Sequence, residues 1–328
     1  MRRREFITLL GGAAASWPLA ARAQQDGRVR LVGMLLSAPD NDPAFQIRVT
    51  AFRETLAKLG WVEGRNLRTE LRWGAGDTQQ MRDGAVALVG LTPDVMLVNT
   101  TPAARAVRQL SNTTPIIFIL GNDPVATGLV GNLTHPENNV TGFPLFEPSI
   151  AGKWLELLKE AAPHLRRIAQ LSDPASVPET YFTVVEATAS ALALQMLRVE
   201  VRNVLDIVRA IDAFAAKPDG GLLFPPDSTI LSHRETIFAL AVQHRLPAIF
   251  WSSFFARGGG LMSYGANAVE RYREAAIYVD RLLRGAKVSE LPVQFPTKFE
   301  LVINLKTAKA IGLTIPEALL LRADELIE

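Results

Sequence analysis

The sequence predicts an α/β fold of two parallel-sheet lobes, and three observations predict it. Short apolar runs alternate with helix-like segments along nearly the whole chain, the pattern of a parallel sheet covered on both faces. A Gly/Pro/Asn-rich stretch, residues 121–143, interrupts the alternation before it resumes. The final segment, from Gly259, breaks the pattern with a glycine-led extended piece, a long helix and a proline-punctuated linker.

The chain opens with MRRREFITLLGGAAASWPLAARA, a positive start, an apolar stretch and the small-x-small run Ala21-Arg22-Ala23. Gly11, Gly12 and Pro18 break that stretch too often for a stable bilayer-spanning helix. Residues 1–23 therefore read as a cleaved export signal, and Arg3-Arg4 gives it a twin-arginine character. Roughly 305 of the 328 residues would remain, a length that suits two lobes.

The net charge of +2 includes Arg2, Arg3, Arg4 and Arg22 of the leader. Without them the chain is slightly acidic, which gives no case for nucleic acid. Cysteine is absent, excluding thiol catalysis, thiolate metal sites and a lipid-modified N-terminal cysteine. No later segment has the uninterrupted apolar length of a membrane helix.

In the first lobe, residues 30–37 form a strand. Asp42-Pro43 then starts a helix, an N-cap followed by proline at the first helical position, and Gly60 ends it. Leu67–Trp73 is the second strand, and Asp77 caps a helix to about Leu91. Residues 94–99 form the third strand, Thr101-Pro102 repeats the cap-plus-proline device, and residues 115–120 form the fourth strand. In the second lobe, helices at 151–162, 179–194, 205–216 and 230–244 alternate with strands at 167–171, 196–201, 221–224 and 247–251. The tail gives an extended piece at 259–264, a helix at 267–283, a strand at 299–305 and two short closing helices. The expected division is 1–23 leader, 27–143 first lobe completed by about 265–287, and 144–262 second lobe completed by about 290–328.

Ligands of open parallel sheets bind beyond the carboxyl ends of the strands, where helix N-termini attract anions. Ser37, Thr100, Thr101, Asp123, Asp173 and Asp227 occupy such loops. Thr100 and Thr101 are either oxyanion ligands or a plain helix cap. The three aspartates either pair with a ligand ammonium or cap turns. Phe143, Phe146, Trp251, Phe254 and Tyr264 lie near these loops and either wall a pocket or pack the core.

Catalytic signatures are weak. His135, His164, His233 and His244 lack metal-ligand spacing, and neither a G-x-S-x-G elbow nor a phosphate loop occurs. The sequence implies no cofactor and no metal, and a hydrolase or isomerase lacks a nucleophile–base pair.

Four segments carry a family resemblance: GNDPVATGLVGNL at 121–133, NVTGF at 139–143, GGLMSYG at 259–265 and PTKFELVINLKTAKAIGL at 296–313. The closing Arg322-Ala323-Asp324-Glu325 fits as well. Through them the chain resembles the exported substrate-binding proteins of ABC transporters, in the type I periplasmic-binding fold and its tryptophan-binding-like group. The resemblance implies two Rossmann-like lobes joined by a three-segment hinge. It places Ser37, Thr100, Thr101, Asp123, Asp173, Asp227 and Tyr264 on the cleft loops. It further implies a soluble periplasmic receptor that delivers an amino acid or related carboxylate to a membrane permease, without catalysis. An exported sensory module for a membrane signalling partner would use the same cleft. One departure stands out: relatives often carry an Arg-Glu pair where this chain has Ser252-Ser253, which points to a less acidic or more apolar ligand.

Overall fold

The computed structural model describes residues 28–120, 123–145, 149–174, 177 and 179–328. The expected leader, residues 1–23, lies outside the described residues, as does Phe146.

The first sheet is built from β1 (Arg30–Leu36), β2 (Leu67–Trp73), β3 (Val95–Val98), β4 (Ile116–Leu120) and β5 (Val140–Pro144), in the order β2-β1-β3-β4-β5. All its pairings are parallel. Its helices are α1 (Pro43–Lys58), α2 (Thr78–Gly90) and α3 (Thr101–Leu110). Each starts on a side-chain cap. Asp42 Oδ1 accepts from the Ala44 and Phe45 N–H groups, Asp77 from Gln80, and Thr100 Oγ1 from Ala103. The third cap is therefore Thr100, one residue before the expected Thr101, with Thr101 in the first helical position.

β5 departs from the irregular connection that the sequence predicts over residues 121–143. Val140–Pro144 pairs along β4. Its Gly142 has φ +152°, and a Cβ there would collide with the Phe118 backbone of β4. Glycine here serves close strand approach, although Asn139, Gly142 and Pro144 resemble turn residues in sequence.

The second sheet has seven strands: β6 (Arg167–Ser172), β7 (Gln195–Glu200), β8 (Gly220–Phe224), β9 (Ala248–Phe250), β10 (Met262–Gly265), β11 (Glu300–Asn304) and β12 (Glu325–Ile327). Their order is β12-β11-β10-β9-β8-β6-β7, parallel throughout except between β10 and β11. Around it pack α4 (Ile150–Ala161), α5 (Glu179–Ala191), α6 (Val204–Ala215), α7 (Ser228–Ser232), α8 (Arg234–Gln243) and α9 (Ser253–Arg257). The helix expected over 230–244 is thus two helices joined at His233. The Ser252-Ser253 stretch starts α9, with Ser252 in the N-cap position.

The antiparallel step follows from the route of the tail. After β10 the chain leaves the second sheet and forms α10 (Ala268–Leu283). α10 packs Tyr272, Ala275, Ala276 and Val279 with Phe45, Val49 and Phe52 of α1 against one face of the first sheet. A short 3-10 turn (Val288–Glu290) follows, and the chain returns as β11, α11 (Leu305–Ala310), α12 (Glu317–Leu320) and β12. The chain so passes between the lobes after β5, after β10 and before β11. The sequence reading ended on two short helices; the chain instead ends on β12, which pairs with β11.

α1 and α10 cover one face of the first sheet, and α2 and α3 cover the other. β1 and β3 are neighbours whose following helices lie on opposite faces, so their carboxyl ends open a crevice.

Candidate functional site

A cavity lies between the two lobes, with unfilled space of about 700 Å³ counting its solvent-open mouth. Its first-lobe walls include Ser37, Thr100 and Thr101; its second-lobe walls include Asp227, Ser228 and Trp251.

Two loop pairs build these walls by the same logic. After β1 and β3, Ser37 and Asn99 are bonded reciprocally: the Ser37 N–H donates to Asn99 Oδ1 at 2.9 Å, and Asn99 Nδ2 donates to Ser37 Oγ at 3.0 Å. After β6 and β8, the Asp173 N–H donates to Asp227 Oδ2 at 2.6 Å. The other oxygen of Asp227 caps α7, accepting from Thr229 at 2.7 Å and Ile230 at 3.2 Å. In both sheets a polar side chain fastens two strand-end loops where neighbouring strands diverge.

Asp227 is 5% exposed. Burial pushes its carboxyl up to about 6; the three N–H bonds pull it down, and the charge of Asp173 adds to the rise. The cavity thus has a carboxylate on its second-lobe wall and the start of α3 on its first-lobe wall.

Of the seven residues named from sequence, the structure brings Ser37, Thr100, Thr101 and Asp227 onto one cavity. Asp173 stands behind Asp227 and touches it through its backbone. Asp123 caps its own turn, accepting from the Val125 and Ala126 N–H groups, and is not among the cavity's lining residues. Tyr264 is likewise not among them: its ring stacks on Phe299 with centroids 5.6 Å apart, and its carbonyl accepts from the Trp154 indole.

Among the walls that sequence reasoning missed are Phe45 and Arg48 on α1, and Tyr272 on α10. The Arg48 guanidinium lies over the Phe45 ring, 4.5 Å from its centroid. Burial lowers its pKa, against the raising influence of Tyr272 and Asp42. Tyr272 is 1% exposed, and its hydroxyl has no hydrogen-bond partner among the described residues. Burial pushes that hydroxyl up to about 12, with Arg48 opposing. Helical periodicity alone marks all three as ordinary residues of amphipathic helices. Only the docking of α10 on α1 brings Tyr272 to the other two.

Among the described residues no cluster of His, Cys, Asp and Glu is arranged to hold a metal ion. Nor is any helix long and apolar enough to cross a membrane.

Comparison with known proteins agrees with this architecture. The family model described as ABC transporter substrate binding protein matches residues 36–327. A tyrosine-binding protein of Clostridioides difficile is 24% identical over 283 residues, covering 86% of this chain and 80% of the relative. Among solved structures, a conserved domain protein from Vibrio cholerae superposes with a TM-score of 0.83 at 27% identity. An ABC domain from Streptococcus pneumonia, in complex with L-Trp, superposes with a TM-score of 0.82 at 25% identity. Each comparison covers 91% of this chain and 100% of the other.

Proposed function

Since the chain belongs to the ABC transporter substrate-binding protein family, a family of binding proteins rather than enzymes, we propose that it is an exported receptor. It captures a small molecule, an amino acid, in the cleft between its lobes and presents it to a membrane permease. The observation that carries this reading is the placement of two opposite features on one cavity. The start of α3 at Thr100-Thr101 suits a carboxylate, and the buried Asp227 of the other lobe suits an ammonium.

The walls favour an aromatic side chain. Phe45, Tyr272 and Trp251 line the same cavity, and aromatic pairs add to the simple burial of apolar surface. The relatives that bind tyrosine and tryptophan support the same class. A ligand that touches both lobes binds the closed form better than the open one, and that difference drives closure. The closed lobes then offer the permease a surface that the open protein lacks. The leader of residues 1–23 would take the chain out of the cytoplasm and be removed near Ala23.

The test is a thermal-shift screen of the mature protein against L-tyrosine, L-tryptophan, L-phenylalanine, aliphatic amino acids, sugars and nucleosides, followed by calorimetry. Specific binding raises apparent stability by mass action. An aromatic amino acid should give the largest rise and be recovered unchanged. A rise with sugars alone, or chemical turnover of the bound compound, counts against the reading. N-terminal sequencing of the protein from the periplasmic fraction tests the leader.

A further inference from the structure

The cleft holds two hydrogen-bond donors that none of the described residues satisfies. Arg48 makes neither a hydrogen bond nor an ion pair among the described residues, and its guanidinium rests on Phe45 at the cavity wall. The nearby acid is Asp42, but its carboxylate is already engaged by the Ala44 and Phe45 N–H groups and by Arg234. The Tyr272 hydroxyl is buried on the same cavity without a partner among the described residues. Neighbouring polar groups are committed: Ser37 to Asn99, and Thr100 Oγ1 to the Ala103 N–H.

A buried polar group left unpaired is costly; the buried Tyr272 hydroxyl and the half-buried Arg48 guanidinium beside it together describe the partner that would satisfy both. That partner has acceptors and no need of donors, and it carries negative charge. A guanidinium presents a planar fork of N–H groups that matches a carboxylate with two parallel bonds. The Tyr272 O–H can donate a further bond to either oxygen. A neutral sugar would leave the Arg48 charge uncompensated.

We propose that Arg48 and Tyr272 together anchor the carboxylate of the bound ligand, with the start of α3 in a supporting place. The proposal rests on the amino-acid reading above and assigns its carboxylate end to α1 and α10.

The experiment is calorimetry on the mature protein with L-tryptophan, L-tryptophanamide, tryptamine and indole-3-propionate, beside a panel of simple carboxylates and sugars. The wild type should favour the two indole carboxylates. Arg48→Met should weaken both by on the order of 10–100-fold while the amide and tryptamine change less than about twofold. Arg48→Lys should fall between, since an ammonium keeps the charge and loses the fork. Tyr272→Phe should weaken the carboxylates by about 3–10-fold with the amide unaffected. Parallel loss of all four probes, or no loss, overturns the anchor and leaves the amino-acid reading standing. Arg48-dependent binding of indole-3-propionate as tight as that of L-tryptophan keeps the anchor and removes the amino-acid reading. Preference for an uncharged solute over every carboxylate overturns both.

Discussion

Arg234 of the second lobe reaches Asp42 of the first: Nη2 stands 3.3 Å from Oδ2, with the carboxylate side chain 2% exposed. Arg234 is itself held in place, lying 4.9 Å over the Phe254 ring and donating to the Leu231 carbonyl. The pair joins the cap of α1 to the start of α8, so it exists only while the lobes are together. Arg234→Met should therefore shift the ligand-free protein toward the open form, raising its radius of gyration in solution scattering. Ligand affinity should fall by about 5–30-fold, the worth of one charge-assisted contact. The melting temperature should barely move, because Asp42 keeps its two N–H donors. Unchanged scattering and affinity would mean the pair does no work in closure.

A second contact between the lobes lies at Gly76, in the β2–α2 connection. Its φ is +77°, and a Cβ there would stand 2.6 Å from Ser232 Oγ at the end of α7. Gly76→Ala should act twice: strain in the left-handed conformation lowers stability by about 1 kcal/mol, and the new methyl obstructs closure. The two effects separate in a double variant. Adding Ser232→Ala should restore ligand affinity and leave the loss of melting temperature in place. If affinity stays low in the double variant, the obstruction is not at this contact.

Much of the fold was legible because local signals were strong. β2 was read to the residue, and Asp42 and Asp77 were recognised as caps because each precedes a helical run with a short acceptor side chain. β5 was not legible, because its Gly142 answers to the backbone of Phe118 in another strand. β12 is three residues long, too short for alternation to register. The site divides in the same way. Ser37, Thr100, Thr101 and Asp227 follow strands directly, so the strand-end rule finds them. Arg48 and Tyr272 lie within helices, and their meeting depends on a tail that returns from the second sheet. Asp123 also satisfied the rule locally, and the resemblance added Tyr264, yet the Asp123 carboxylate and the Tyr264 ring are engaged beside the cavity rather than on it.

Asp227 gives the protein opposite pH dependences for folding and binding. Burial raises its folded pKa to about 6, above the ordinary carboxylate value of 3.8. The folded chain therefore holds the proton more tightly than the unfolded one. That contribution is fully present below the unfolded pKa and is lost as pH rises through about 6. Compared with Asp227→Asn, the wild type should lose about 2–3 kcal/mol between pH 4 and pH 7, read as a difference in slope of stability against pH. Binding should run the other way. A ligand ammonium needs the carboxylate, so affinity for an aromatic amino acid should fall below pH 6, approaching tenfold per unit. The ligand's own groups do not titrate in that interval. Affinity that stays flat from pH 7.5 to 4.5 would remove Asp227 from the ammonium role.

Tyr272 supplies a sign that separates a binding residue from a structural one. Its hydroxyl is buried and has no partner among the described residues, while its ring packs in the first-lobe core. Removing only the oxygen takes away a desolvation penalty and leaves the packing intact, so Tyr272→Phe should stabilise the ligand-free protein by about 1 kcal/mol. A larger change, Tyr272→Ala, should destabilise it by about 3–5 kcal/mol by opening a cavity between α10 and α1. Denaturant melts of the two variants check both signs. Loss of stability in Tyr272→Phe would mean that the hydroxyl is satisfied without ligand, and that the cleft asks for one acceptor fewer.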